Sequence, residues 1–277
     1  MINTFSNILI KFWRRVTGIE ARQLYKQLLK VQNELANAQH ELANAQHEPT
    51  NSHANRNNRL HLYVAEALGL VAPNRKIKAN AKFEFKSQVS VFTEFGSDKD
   101  TRHSYGNVYL DLLSNFSNPK ILEIGVGSVN SFPYAGLAAG GGLKAFRKCF
   151  PDSEITGLDI DPESIEIINS DGFNGFVVDQ TSDESLSRVK NSLKHLGPFD
   201  LIIDDGFHDP HANVRTLQTL FELLGDKGTY VIEDVHESLI NFWEAISVHL
   251  PGKLQVLDMR EMRPGVDDNI LLLITKS

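Results

Sequence analysis

Lys120-Ile-Leu-Glu-Ile-Gly-Val-Gly127 decides how this 277-residue chain is read. A short run of branched apolar residues closed by two nearby glycines describes a buried strand and a sharp turn whose backbone can approach a ligand closely. The dinucleotide form of such a loop needs a third glycine, G-x-G-x-x-G, so that a helix N-terminus faces a pyrophosphate. Position 130 is instead Asn130. The acid Glu123, just ahead of the turn, would also repel phosphate and attract a cationic ligand. Working outward, further apolar β runs recur at 154–158, 175–178, 201–203, 229–232, 254–257 and 270–274, most of them separated by helical stretches. Strands alternating with helices specify an α/β fold, a Rossmann-like, mostly parallel doubly wound sheet. The last two runs are too close for a crossover helix, so they are expected as an antiparallel hairpin at the sheet edge.

In such sheets ligands bind beyond the carboxyl ends of the strands, where strand order reverses. The polar residues at those ends are therefore the informative ones. The first strand ends in Glu123, Gly125 and Gly127, and the second in Asp159, whose carboxylate can accept both hydroxyls of a ribose. The third ends in Asp179-Gln180, suited to an adenine edge, and the fourth in Asp204-Asp205-Gly206-Phe207-His208. Each acid alone could equally cap the next helix. Acids at successive strand ends, with an acidic loop that accepts a cationic methionine group, favour a pocket for S-adenosylmethionine. Its expected contacts are Glu123, Gly125, Gly127, Asp159, Asp179, Gln180 and Asp204. The fifth strand adds Glu233-Asp234 beside the fourth. Crowded carboxylates repel unless a cation neutralises them, and oxygen-only ligands favour Mg²⁺, Ca²⁺ or Mn²⁺ over zinc. His208 supplies an imidazole, a side-chain type suited to general-base work.

With these residues assembled, the chain from Phe95 onward resembles the metal-dependent sugar O-methyltransferases and their relatives in polysaccharide gene clusters. The matching pieces are Phe95-Gly-Ser-Asp-Lys99 with His103-Ser-Tyr105, Leu122-Glu-Ile-Gly-Val-Gly127 and Gly157-Leu-Asp-Ile-Asp-Pro162. Asp179-Gln180, Asp204-Asp-Gly-Phe-His208 and Gly228-Thr-Tyr-Val-Ile-Glu-Asp234 complete the set. The resemblance implies a class I methyltransferase fold, S-adenosylmethionine as cofactor, Mg²⁺ held by Asp205, Glu233 and Asp234, and His208 as general base. The implied acceptor is a sugar hydroxyl of a glycan, a polysaccharide precursor or a glycosylated natural product. The chain departs from many relatives over 130–144, which is glycine-rich where they carry serine. Alternative readings are a metal-independent N- or O-methyltransferase and a non-catalytic coiled-coil scaffold.

Composition narrows the partners. A chain with 41% hydrophobic and 23% charged residues is an ordinary globular one. Its net charge of -7 gives no general attraction to phosphate backbones, so a small-molecule or glycan acceptor is expected and nucleic acid is not. Cys149 is the only cysteine, which suits a reducing, cytoplasmic setting. Residues 1–19 place Ile2, Phe5, Leu9, Phe12, Val16 and Ile19 at helical spacing beside Lys11, Arg14 and Arg15. That is an amphipathic helix, expected to pack within an oligomer, with peripheral membrane contact as the alternative. It has neither a signal-peptide core nor spanning length. The heptad series Ala21, Leu24, Leu28, Val31, Leu35, Ala38, Leu42 and Ala45, with Glu34–His40 repeated as Glu41–His47, predicts a short coiled coil and a homo-oligomer. The expected organisation is 1–48 helix and coiled coil, 49–103 linker and cover, and 104–277 catalytic domain. Within the cover, 60–70 reads as helix and 82–95 as strand or irregular chain.

Overall fold

A computed structural model describes residues 91–127 and 138–276. The elements in order are α1 (Val91–Glu94), α2 (Gly106–Leu112), β1 (Ile121–Ile124), α3 (Gly141–Cys149), β2 (Ile155–Asp159), α4 (Pro162–Ser170) and β3 (Asn174–Val177). They continue as α5 (Asp183–Leu193), β4 (Phe199–Asp204), α6 (Pro210–Leu220), β5 (Leu224–Ile232), α7 (Ile240–Ile246), β6 (Lys253–Asp258) and β7 (Ile270–Thr275). The predicted helix of 1–19, the heptad segment, the linker and the helix of 60–70 all lie outside the described residues.

The seven strands form one sheet in the order β3-β2-β1-β4-β5-β7-β6. The first five are mutually parallel, and β7 runs antiparallel to both β5 and β6. This is the expected Rossmann-like, mostly parallel sheet, and its hairpin ending is the expected one. Within the hairpin, β7 is interior and β6 is the edge strand. The residue pattern explains it. Ile270-Leu-Leu-Leu-Ile274 is buried along its whole length, so both of its faces need cover. β6 buries only Leu257 fully, as an edge strand can. Residues 91–94, expected as strand or irregular chain, form the helical turn α1. Its buried Phe92 packs edge-on against Phe146 of α3 at a centroid distance of 5.1 Å, and Phe146 meets Tyr109 of α2 at 5.6 Å. Aromatic packing of this kind overrides a local strand preference.

Three helices begin on caps directly after strand ends. Asp161, Ser182 and Asp209 each accept a backbone N–H from the first turn of α4, α5 and α6, with Pro162 and Pro210 opening two of them. Such caps fix where the strand stops and the helix starts. They therefore hold the strand-end residues in place around a common cleft. Among the described residues no helix is long and apolar enough to cross a membrane.

Candidate active site

A cavity of about 610 Å³ opens at the carboxyl ends of the strands, across the reversal of order where β1 lies between β2 and β4. Its size suits a nucleoside-sized ligand. The loop after β1 forms its floor. Gly125 has φ 85° and Gly127 φ 83°, a backbone region that L side chains rarely adopt. At Gly125 a Cβ would lie 2.0 Å from the carbonyl oxygen of Asp205. The Asp205 N–H in turn donates to the Ile124 carbonyl at 2.8 Å. The missing side chain at 125 thus makes room for the neighbouring strand end. Gly125→Ala is expected to lower the unfolding midpoint and weaken both ligand sites together, because it adds left-handed strain of about 1–2 kcal/mol and displaces Asp205. Thermal unfolding with and without S-adenosylhomocysteine and Mg²⁺ checks this.

The acids on the nucleoside side are unequal. Asp159 Oδ2 accepts from Val126 N–H at 3.0 Å and Oδ1 from Asp161 N–H at 2.9 Å. It ties the glycine loop to β2, lines the cavity, and has its carboxyl pushed up by burial. Asp179 lines the cavity and accepts from the Thr181 hydroxyl and N–H at 2.6 and 2.8 Å. Those bonds hold its carboxyl below the usual range. Gln180 also borders the cavity, but its amide is spent inward. Nε2 donates to Asp204 Oδ1 at 2.7 Å, and Oε1 accepts from Phe207 N–H at 2.8 Å.

Asp204 departs from the expectation of a cofactor contact. It is fully buried, absent from the cavity wall, and accepts from Gln180 and from the Tyr230 hydroxyl at 3.2 Å. Adjacent strand residues face opposite sides, and here Asp205 takes the cavity side. Asp204 instead braces β4 against β5 and the loop after β3.

The cation side is a dense acid cluster. Asp205, His208 and Asp234 offer ligand atoms all within 4.8 Å of one another. His208 Nε2 lies 3.8 Å from Asp205 Oδ1. His208 and Asp234 are also the non-glycine residues with positive φ among those described, at 51° and 54°. Such strain collects at functional sites. Burial, then repulsion from Asp205, pushes the Asp234 carboxyl up to about 7. The Tyr105 hydroxyl donates to Asp234 Oδ1 at 2.9 Å. His103 Nε2 sits 3.3 Å from the same oxygen, without an aligned hydrogen bond. Its ring stacks on Tyr105, and burial takes its pKa down to about 4, so it is neutral.

Glu233 differs from its expected role in one respect. It does not join the converging trio, because its Oε1 is committed to the Lys99 ammonium at 2.7 Å and to the Tyr109 hydroxyl. Lys99 also pairs with Asp205 Oδ2 at 2.7 Å and Glu123 Oε1 at 3.0 Å. Burial by itself would depress this ammonium, but Asp205, Glu123 and Glu233 outweigh it and hold its pKa well above the usual value.

No family model matches the chain. Among curated proteins it is 33% identical over 152 residues to the 8-demethyl-8-alpha-L-rhamnosyl tetracenomycin-C 2'-O-methyltransferase of Streptomyces olivaceus, covering 54% of this chain and 37% of that one. It is 37% identical over 118 residues to the mycinamicin VI 2''-O-methyltransferase of Micromonospora griseorubida, covering 42% and 27%. The similarity is to sugar O-methyltransferases. The chain spans well under half the length of these relatives. Among solved structures, the MycE methyltransferase from the mycinamycin biosynthetic pathway, in complex with Mg and SAH, aligns with 67% of this chain and 52% of its own, at 23% identity and a TM-score of 0.48.

The structure thus gathers Glu123, Gly125, Gly127, Asp159, Asp179, Gln180, Asp205, His208 and Asp234 around one cavity and leaves Asp204 out of its lining. Sequence reasoning assigned no role to Lys99, His103, Tyr105 or Tyr109. Phe95-Gly-Ser-Asp-Lys99 and His103-Ser-Tyr105 stood in the matched pieces, but a lysine or tyrosine between elements reads as surface without a partner to point at.

Proposed function

We propose that the chain transfers the methyl group of S-adenosylmethionine to a sugar hydroxyl of a glycan or glycosylated small molecule, assisted by a divalent cation, with Mg²⁺ the leading candidate. The observation that carries this reading is the convergence of Asp205, Asp234 and His208 in the lining of the cavity that Glu123 also lines. The residues fit both groups. Glu123 is 2% exposed and its Oε2 has no hydrogen-bond partner, so a buried acceptor awaits a cationic donor such as the ammonium of a methionine moiety. The donor set on the other side is mostly carboxylate oxygen, which suits a hard cation.

Asp205 and Asp234 would hold the cation, and Glu233, bound to Lys99 and the Tyr109 hydroxyl, would back them with a further negative charge. The cation would supply Lewis acidity that acidifies and orients the acceptor hydroxyl. Asp159 would bind the ribose hydroxyls, Asp179 the adenine edge and Glu123 the methionine ammonium. His208 takes the hydroxyl proton as the acceptor oxygen bonds to the methyl carbon, and the carbon–sulfur bond breaks to leave a neutral thioether.

Calorimetric titration with S-adenosylhomocysteine and Mg²⁺ tests the reading. The wild-type chain is expected to bind both, Asp159→Ala to lose at least about tenfold in S-adenosylhomocysteine affinity, the equivalent of one lost charge-assisted hydrogen bond, and EDTA to stop methyl transfer. Transfer that survives both EDTA and Glu233→Ala would establish a metal-independent methyltransferase instead.

A further inference from the structure

Lys99 is 1% exposed, and its ammonium reaches the ends of three strands at once. It lies 3.0 Å from Glu123 Oε1 on β1, 2.7 Å from Asp205 Oδ2 after β4 and 2.7 Å from Glu233 Oε1 after β5. An ammonium has three protons to donate, so these partners exhaust it. Asp205 is divided between two neighbours: Oδ2 faces Lys99, while Oδ1 faces His208 and the converging trio. Any cation held by Asp205 and Asp234 therefore shares a carboxylate with Lys99. Two cations on one carboxylate repel, and in a buried setting water screens them poorly.

We propose that Lys99 is a built-in counter-cation that positions the acids and limits how tightly the divalent cation binds. This rests on the cation-assisted reading above. With the site empty, Lys99 holds Glu123, Asp205 and Glu233 together against their mutual repulsion. With the cation present, it competes for Asp205 and Glu233 and keeps binding reversible. Because the same ammonium touches Glu123, it also links the cation side to the methionine side of the cavity.

The test is Mg²⁺ titration of the full chain by calorimetry and thermal unfolding, on wild type, Lys99→Met, Lys99→Arg and Asp234→Asn. Lys99→Met, similar in length but uncharged, is expected to bind Mg²⁺ at least about tenfold more tightly than wild type, a difference of about 1.4 kcal/mol. It should melt lower in EDTA and gain more from Mg²⁺ than wild type does. Lys99→Arg should stay near wild type. Equal or weaker Mg²⁺ binding by folded Lys99→Met overturns the proposal, as does a loss of melting temperature that Mg²⁺ leaves unrestored, which a purely structural lysine would give. If wild type and Asp234→Asn alike ignore Mg²⁺, the cation-assisted reading fails. Lys99→Met still decides the lysine's role: newly gained binding supports it, and silence overturns it. Should Lys99→Met not fold, the Lys99 ammonium nitrogen resonance of the wild type is followed during Mg²⁺ addition. A shift that saturates supports the proposal, and an unmoved signal overturns it.

Discussion

His208→Ala is expected to lose methyl transfer by about 10²–10⁴-fold, the range for removing a positioned general base, while affinities for S-adenosylhomocysteine and Mg²⁺ stay close to wild type. The imidazole hangs in the loop between β4 and α6, with its side chain 40% exposed and Nε2 3.8 Å from Asp205 Oδ1. It reaches the cavity, so an acceptor hydroxyl can meet it. The His208 backbone is left-handed, with φ 51°. The expected signature is therefore a slow chemical step with intact binding. Single-turnover transfer of a labelled methyl group, with calorimetry on the same preparation, measures both. A fall in Mg²⁺ affinity comparable to the fall in rate would make His208 a cation ligand and move the role of base elsewhere.

The second large effect comes from two neighbouring aspartates. Asp204→Ala is expected to cost about 1–3 kcal/mol for each buried donor that loses its carboxylate acceptor, the Gln180 amide and the Tyr230 hydroxyl. The loop carrying Phe207 would loosen as well, since Gln180 Oε1 holds its N–H. Asp205→Ala is expected to cost far less, because removing it relieves repulsion against Glu233 and Asp234 while Lys99 keeps Glu123 and Glu233. It should nevertheless abolish Mg²⁺ binding and methyl transfer. Urea unfolding in EDTA reports the first variant and Mg²⁺ calorimetry the second. Equal stabilities for the two would show that the buried network around Asp204 contributes nothing special.

The sheet was legible because its information is local. Mostly apolar runs such as Ile121–Ile124 and Ile270–Thr275, punctuated by capping acids and prolines, mark buried strands and helix starts wherever they occur. The same logic placed Asp159, Asp205, His208 and Asp234 at strand ends, where an α/β sheet puts its ligands. Local pattern could not say that β7 inserts between β5 and β6, since pairing order follows from burial on both faces of the sheet. Nor could it separate Asp204 from Asp205. A period of two requires them to face opposite sides, and only the packing of α6 and Tyr230 decides which side is the core.

What the sequence alone determined about this protein is thus the α/β class, the strand ends that carry polar chemistry, and the need for a special backbone at Glu123-Ile-Gly-Val-Gly127. Composition and periodicity suffice for these, because each depends on neighbours within a few residues. The tertiary structure alone decided that the space at Gly125 is filled by the Asp205 carbonyl, and that Lys99 crosses 106 residues of sequence to meet Asp205. A buried ammonium acquires its role only from the carboxylates around it, and chain folding is what brings them within hydrogen-bond distance.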